Sequence, residues 1–249
     1  MPDDGPEPAP IVAMANVRFR WRRKDAFTLE VPSFHIARGE RVLMIGPSGS
    51  GKSTFLSLLS GIAAPQAGTV RVLGTELTQL AGARRDRFRA DHLGIVFQMF
   101  NLVPYLSCLD NVLLPLGFSP VRRKRVGDAA AAATEGRRLM LRLGLDPAIF
   151  ADKPAAEMSV GQQQRVAAAR ALVGRPELVI ADEPTSALDR DRQQAFVALL
   201  RDEVAAAGSA LLMVSHDPSL TQLFDRIVPL AETLSDGRVT SAPAAEAAE

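Results

Sequence analysis

Short apolar runs and polar turns alternate along the chain. "RVLMIG" (41–46), "LGIVF" (93–97), "ELVIAD" (177–182) and "ALLMVSH" (210–216) each have about the length of a buried strand. Three of them end in polar residues and turn into helix-forming sequence. That pattern predicts a parallel sheet with ligand chemistry at the carboxyl ends of its strands. "IVAMANVRFRW" (11–21) and "FTLEVPSFHIARGE" (27–40) alternate more strictly and predict antiparallel strands. "GTVRVLG" (68–74), bounded by glycines, predicts another of that kind.

The stretch from about 98 to 170 differs. "DAAAAATEGRRLMLRLGL" (128–145) is strongly helix-forming, and Gly144 followed by Asp146-Pro147 stops it. A second helix runs from Ser159 to about Val173, where Gly174 can take a left-handed cap and Pro176 prevents continuation. After Leu188, Phe196, Leu199, Leu200 and Glu203/Val204 fall at helical spacing, so that face packs on the sheet. The fold class is α/β: a parallel-sheet core with an antiparallel β subdomain over 11–97 and 171–235, and a helical subdomain inserted at 98–170. Residues 1–10 and 241–249 read as disordered tails flanking one unit over 11–240. There is no internal repeat and no heptad run.

Composition narrows the function class. A formal charge of +1 argues against general attraction to nucleic acid or anionic lipid. The basic run Arg122-Arg123-Lys124-Arg125 reads as a solvated face, or as a contact to lipid headgroups or a membrane partner. Cys108 is alone, so no disulfide forms within the chain and a reducing compartment is the default. "MPDDGPEPAP" lacks the features of a secretory signal. No run approaches the ~18–20 apolar residues that span a bilayer, so any membrane part of the machinery belongs to another chain.

The chemistry lies at the strand ends. Gly46-Pro47-Ser48-Gly49-Ser50-Gly51-Lys52-Ser53-Thr54 matches G-x-x-x-x-G-K-[ST] between a strand and a helix. Gly46, Gly49 and Gly51 let the backbone fold tightly, so its N–H groups point into one concavity that fits phosphate oxygens. The helix N-terminus adds partial positive charge. Lys52 then reaches the β and γ phosphates of ATP, Ser53 ligates Mg²⁺, and Thr54 contacts the α phosphate. "LVIADEPTSALD" ends an apolar strand in Asp182 and Glu183. Two carboxylates there need a counter-charge, which Mg²⁺–ATP supplies: Asp182 holds the metal and Glu183 acts as general base. His216 ends another strand, either as a γ-phosphate contact or as a satisfied strand-end histidine. Gln98, after "LGIVF", offers a neutral amide to Mg²⁺ or to the attacking water.

Together these motifs resemble the nucleotide-binding subunit of ATP-binding-cassette transporters over roughly 11–240. "GPSGSGKST" is similar to that family's Walker A, "IVFQ" to its Q-loop and "MSVGQQQRVAAARAL" to its signature segment. "LVIADEPTSALD" is similar to Walker B with the D-loop, and "VSHD" to the H-switch. The resemblance implies a P-loop NTPase (RecA-like) core and an ATPase that works as a head-to-tail dimer. Each ATP would lie between one copy's phosphate loop and Ser159, Gly161 and Gln162 of the other. Ser186 and Asp189 match residues that couple the two sites. Trp21 matches the aromatic that stacks on adenine, with Phe19 as a rival two residues away. Val160 departs from the family pattern, which has glycine there. Its β-branch excludes positive φ, so its side chain must point away from the phosphate.

"FQMFNLVPYLSCLDNVLLPL" (97–116) is similar to the branch of macrolide-efflux, lipoprotein-release and cell-division ATPases. That implies a separate or fused four-helix permease with a large extracytoplasmic domain, and a place on the cytoplasmic face of the membrane, held through the permease. Met99, Phe100, Leu102, Val103, Tyr105 and Leu106 form an apolar, irregular stretch suited to docking a partner helix. The rival is a soluble cassette ATPase of the DNA-repair or translation-factor type. It predicts coiled-coil insertions, a second cassette or a basic face.

Overall fold

A run that is apolar at nearly every position can only be buried on both faces, and four such runs form one sheet. The computed structural model describes residues 9–21, 28–186 and 188–233. The tail assignments at 1–8 and 241–249 lie outside the described residues. In chain order the elements begin β1 Val12–Phe19, β2 Leu29–Ile36, β3 Arg41–Ile45, α1 Lys52–Leu59, β4 Ala67–Val72, β5 Thr75–Glu76, α2 Gly82–His92 and β6 Leu93–Val96. They continue α3 Cys108–Phe118, α4 Pro120–Val126, α5 Ala129–Arg142, α6 Pro147–Phe150, α7 Val160–Leu172, β7 Leu178–Asp182, α8 Arg190–Ala206, β8 Ala210–Ser215, β9 Arg226–Pro229 and α9 Leu230–Thr233.

One sheet has the order β6-β7-β8-β3-β9, and all its pairings are parallel. The other has the order β2-β1-β4-β5 and is antiparallel. Successive side chains of the parallel strands face opposite layers. Leu43, Val179, Ala181, Leu211 and Met213 join the core under α3, α5, α7 and α8. Val42, Met44, Ile180, Leu212 and Val214 join the core shared with α1 and the antiparallel sheet. This two-faced burial explains why β7 and β8 carry no alternation.

Among the elements not foreseen are β9, β5 and α2. β9 is a four-residue edge strand ending in Pro229, where a missing N–H costs nothing. β5 has two residues. α2, "GARRDRFRADH", buries only Asp91 and so has no apolar stripe to read.

The basic run at 122–125 corrects the sequence reading. It is not a solvated face throughout. Arg122 is buried and donates to the Ala171 carbonyl at 2.6 Å, and burial lowers its pKa to about 10. Arg125 binds the Arg175 carbonyl and the Glu177 carboxylate. Burial pushes Glu177 upward, but hydrogen bonds from His92 and Arg125 outweigh it and bring its pKa to about 2. Only Arg123 and Lys124 face solvent freely. Glu203, grouped by spacing with the apolar face of α8, is buried there as an acid. Arg138 and Arg142 of α5 both bind it, at 2.8 and 2.7 Å.

β6 and the end of α7 meet without room for a side chain. A Cβ placed on Gly94 would lie 2.2 Å from the Ala171 carbonyl oxygen. Backbone cannot yield as a flexible side chain does. Gly94→Ala is therefore expected to lower unfolding stability by at least about 1–3 kcal/mol, read as a lower urea midpoint with an unchanged slope.

Candidate active site

The phosphate loop begins where β3 ends. Gly49 and Gly51 have φ of 76° and 95°, a left-handed backbone in which glycine carries no penalty. Gly51 opens α1 as its N-cap. A Cβ on Gly46 would come within 2.8 Å of the Ser50 hydroxyl, which is itself buried without a partner. Lys52 folds back over this loop. Its ammonium donates to the carbonyls of Gly46 and Pro47 at 2.9 and 2.8 Å and pairs with Glu183 Oε1 at 3.0 Å. All three of its donors are thus engaged.

β7 ends at Asp182, and the chain then turns sharply. In a continuing strand, Asp182 and Glu183 would point to opposite faces. Glu183 instead takes φ of 42°, a left-handed conformation that costs a non-glycine residue ~1–3 kcal/mol. Both carboxylates thereby meet the phosphate loop: Asp182 beside Ser53, and Glu183 beside Lys52. Glu183 Oε2 also lies 3.1 Å from His216 Nδ1, just past the end of β8. Burial raises the Glu183 pKa, but the Lys52 and His216 contacts outweigh it and hold it below the usual glutamate range. Asp182 goes the other way. Burial raises it, with Glu183 adding to the rise against opposing pulls from Ser53 and Lys52, and its buried Oδ1 has no hydrogen-bond partner among the described residues.

A cleft of about 320 Å³ opens above this cluster, lined by Ser48, Gly49, Gly51, Lys52, Ser53, Thr54, Gln98 and Glu183. Trp21 lies at the edge of the same loop: its indole N–H donates to Thr54 Oγ1 at 3.1 Å, and 56% of it is exposed. Phe19 is buried and meets the Trp21 ring edge-on at 5.0 Å. The strand therefore places Phe19 in the core and leaves Trp21 as the accessible aromatic.

The signature residues are elsewhere. None of Ser159, Gly161 and Gln162 lines the cleft. Ser159 caps α7 in a reciprocal box: its Oγ accepts from the Gln162 N–H at 3.4 Å, and Gln162 Oε1 accepts from the Ser159 N–H at 2.9 Å. The Ser159 hydroxyl proton remains free to donate outward. The first turn of α7 carries no acid. Val160 is its first helical residue, right-handed in backbone and 52% exposed, so the branched side chain meets solvent and no positive φ is needed. A Cβ on Gly161 would touch Leu188 at 3.4 Å, which puts this helix start against the segment holding Ser186 and Asp189. Ser186 is exposed, and Asp189 caps α8 by accepting from the Arg192 N–H at 3.0 Å.

Several supporting residues escaped the sequence reading. After Gln98, Phe100 and Asn101 both take positive φ, of 58° and 50°. Arg170 of α7 holds this strained pair by donating to both carbonyls. Asn111 of α3, fully buried, accepts from the Val103 N–H and donates to the carbonyls of Val103, Leu106 and Ser107. Gln193 of α8 donates to Thr185 Oγ1 at 2.7 Å and braces the turn after Glu183. The signal was there for Arg170: an arginine within the apolar run "VAAARAL" must find acceptors.

The family model described as ABC transporter matches residues 29–186. An ABC transporter ATP-binding protein of Mycobacterium tuberculosis is 41% identical over 225 residues, covering 89% of this chain and 87% of the relative. The lipoprotein-releasing system ATP-binding protein LolD 1 of Caulobacter vibrioides is 41% identical over 206 residues, covering 83% of each. The macrolide export ATP-binding/permease protein MacB of Salmonella choleraesuis is 36% identical over 214 residues, 86% of this chain but 31% of that protein. Among solved structures, the cassette MJ0796 in a dimeric post-hydrolysis state with ADP and Pi superposes with a TM-score of 0.77. It is 31% identical and covers 92% of this chain and 97% of that one.

The electrostatics of the cluster can be tested apart from any activity. Lys52→Met removes the cation that holds Glu183 down, so burial prevails. The Glu183 carboxyl is then expected to titrate above its wild-type value, by carboxyl-detected NMR of the nucleotide-free protein.

Proposed function

The chain belongs to the ABC transporter family as an ATP-binding, ATP-hydrolysing subunit, and from that premise we propose that two copies close head to tail on two ATP molecules to drive a separate membrane permease. One observation carries this reading. The cleft gathers Lys52, Ser53, Thr54, Gln98 and Glu183, with Asp182 beside Ser53 and His216 beside Glu183, while Ser159 at the N-terminus of α7 is exposed and does not line it. A helix start with no acid nearby suits a phosphate that another copy presents. The dimer found for MJ0796 and the names of the LolD and MacB relatives support it.

The phosphates of ATP lie in the loop at Gly46–Thr54, with Pro47, Ser48 and Ser50 shaping its backbone and Trp21 stacking on adenine. The γ phosphate competes with Glu183 for Lys52. Once Lys52 turns to phosphate, Glu183 loses its main counter-charge, and its proton affinity rises where it must accept a proton from water. His216, 3.1 Å from Glu183, positions that carboxylate and the water. The orphaned Asp182 oxygen, with the Ser53 hydroxyl and the Gln98 amide, fits a hard divalent cation. Mg²⁺ held there with ATP would neutralise charge on the β and γ phosphates. From the facing copy, Ser159, Gly161 and Gln162 contact the γ phosphate, and Ser186 and Asp189 couple the two sites. Hydrogen bonds to a charged group are worth ~1.5–3 kcal/mol each. Loss of the γ phosphate at both sites thus shifts the closed state by several of these, and hydrolysis opens the dimer.

The permease is of the four-helix type with a large extracytoplasmic domain, and the protein sits on the cytoplasmic face of the membrane through it. No described helix is long and apolar enough to cross a membrane. The permease helix enters the apolar groove between α2, β6 and α3, lined by Leu93, Ile95, Phe97, Leu114 and Pro115, with Met99 exposed two residues past Phe97. Residues 98–170 act as the moving helical part on a core of 11–97 and 171–235.

Glu183→Gln should keep ATP binding, lose ~10²–10⁴ in hydrolysis rate, and accumulate as an ATP-bound dimer in sedimentation velocity. A variant that stays monomeric at saturating ATP would sink the sandwich. Val160→Gly should leave hydrolysis unchanged or faster, because the valine faces solvent at the helix start. A collapse of the steady-state rate would assign Val160 a role in the closed state.

A further inference from the structure

α2 and α4 each carry four Lys or Arg, against two Asp on α2 and no acid on α4. The whole chain has a net charge of only +1. The two helices pack against each other, and Arg87 donates to the Phe118 carbonyl where α3 passes into α4. Their cations are not equivalent. Arg122 and Arg125 are committed to the interior and to Glu177, and Arg89 pairs with Asp86. Arg84, Arg123 and Lys124 are exposed and have no carboxylate partner among the described residues. Beside them, Phe118 is 64% exposed and Val121 is exposed as well.

Exposed apolar side chains cost free energy in plain water, and with solvated cations around them they suit a membrane interface. The apolar tips enter the acyl boundary while the basic stems reach back to phosphate. We infer that this α2–α4 face rests on the anionic headgroup layer of the membrane, next to the groove. The inference rests on the reading that the protein works at a membrane. It adds a direct lipid contact that the permease does not supply. An anionic surface complements the three unpaired cations, and an uncharged one does not. Each basic side chain near such a surface contributes about a fivefold gain in partitioning.

The test is co-sedimentation of the purified chain with vesicles of phosphatidylglycerol and phosphatidylcholine in equal parts, beside pure phosphatidylcholine. The wild type should pellet with the anionic vesicles only, and high salt should release it. The triple variant Arg84→Gln, Arg123→Gln, Lys124→Gln should lose about a hundredfold in partitioning, with ATPase rate and ATP-driven dimerisation unchanged. Phe118→Ser should weaken binding but keep its salt dependence. Equal pelleting with both vesicles, or a triple variant that binds like the wild type, would overturn the lipid contact. So would soluble polyglutamate binding as tightly as the vesicles, which would mark an acidic protein partner. Hydrolysis and dimerisation are read on the same samples, so a failure at the membrane is distinguishable from a failure of the ATPase reading.

Discussion

Everything in the site depends on one ion pair at the end of a buried strand. β7 brings two adjacent carboxylates to the edge of the core, where an uncompensated charge is expensive. Lys52 answers one of them at 3.0 Å, and the left-handed turn at Glu183 makes that contact possible. Asp182 receives no full counter-charge and has an orphaned oxygen. The sheet's stability and the site's chemistry are therefore linked. In the proposed mechanism, the same burial that destabilises the two acids prepares one to be released from Lys52 and the other to receive a cation.

That arrangement also supports the proposed head-to-tail dimer. Lys52, Glu183 and His216 satisfy one another within one copy, while the Ser159 hydroxyl proton has no acceptor among the described residues. A phosphate inserted between them changes the accounts of both halves at once. In the proposed dimer, closure needs no large new apolar interface, because its driving force is tied to the charge of the γ phosphate.

The sequence displayed the strands and the phosphate loop clearly because they are local. Runs such as "ALLMVS" and the spacing of Gly46, Gly51 and Lys52 carry their own geometry. Asp182 and Glu183 were visible as chemistry, but not the positive φ that aims both at one cleft. The polar braces were not legible. Arg122, Arg170 and Glu203 are charged residues made interior by partners 49, 70 and 65 positions away. A basic run on a short helix reads as solvated until the Ala171 carbonyl is seen above it. Trp21 and Phe19 share one strand phase, so alternation could not separate them; β1 ends at Phe19, which joins the core with Leu29 and Val31, and Trp21 lies beyond the strand.

α7 ties these parts into one device. Its first residues carry the Ser159 cap, and Arg170 near its other end holds the carbonyls of Phe100 and Asn101 beside Gln98. A helix of 13 residues spans about 20 Å. It behaves as a rod over that length. In the proposed closure, a shift of Ser159 onto phosphate would move Arg170, and with it the strained segment after Gln98. Asn111 ties down the loop at Val103, and Gln193 the turn at Thr185, on either side of this helix in sequence. Coupling of this kind needs no signal along a chain of side chains, only a rigid element with a partner at each end.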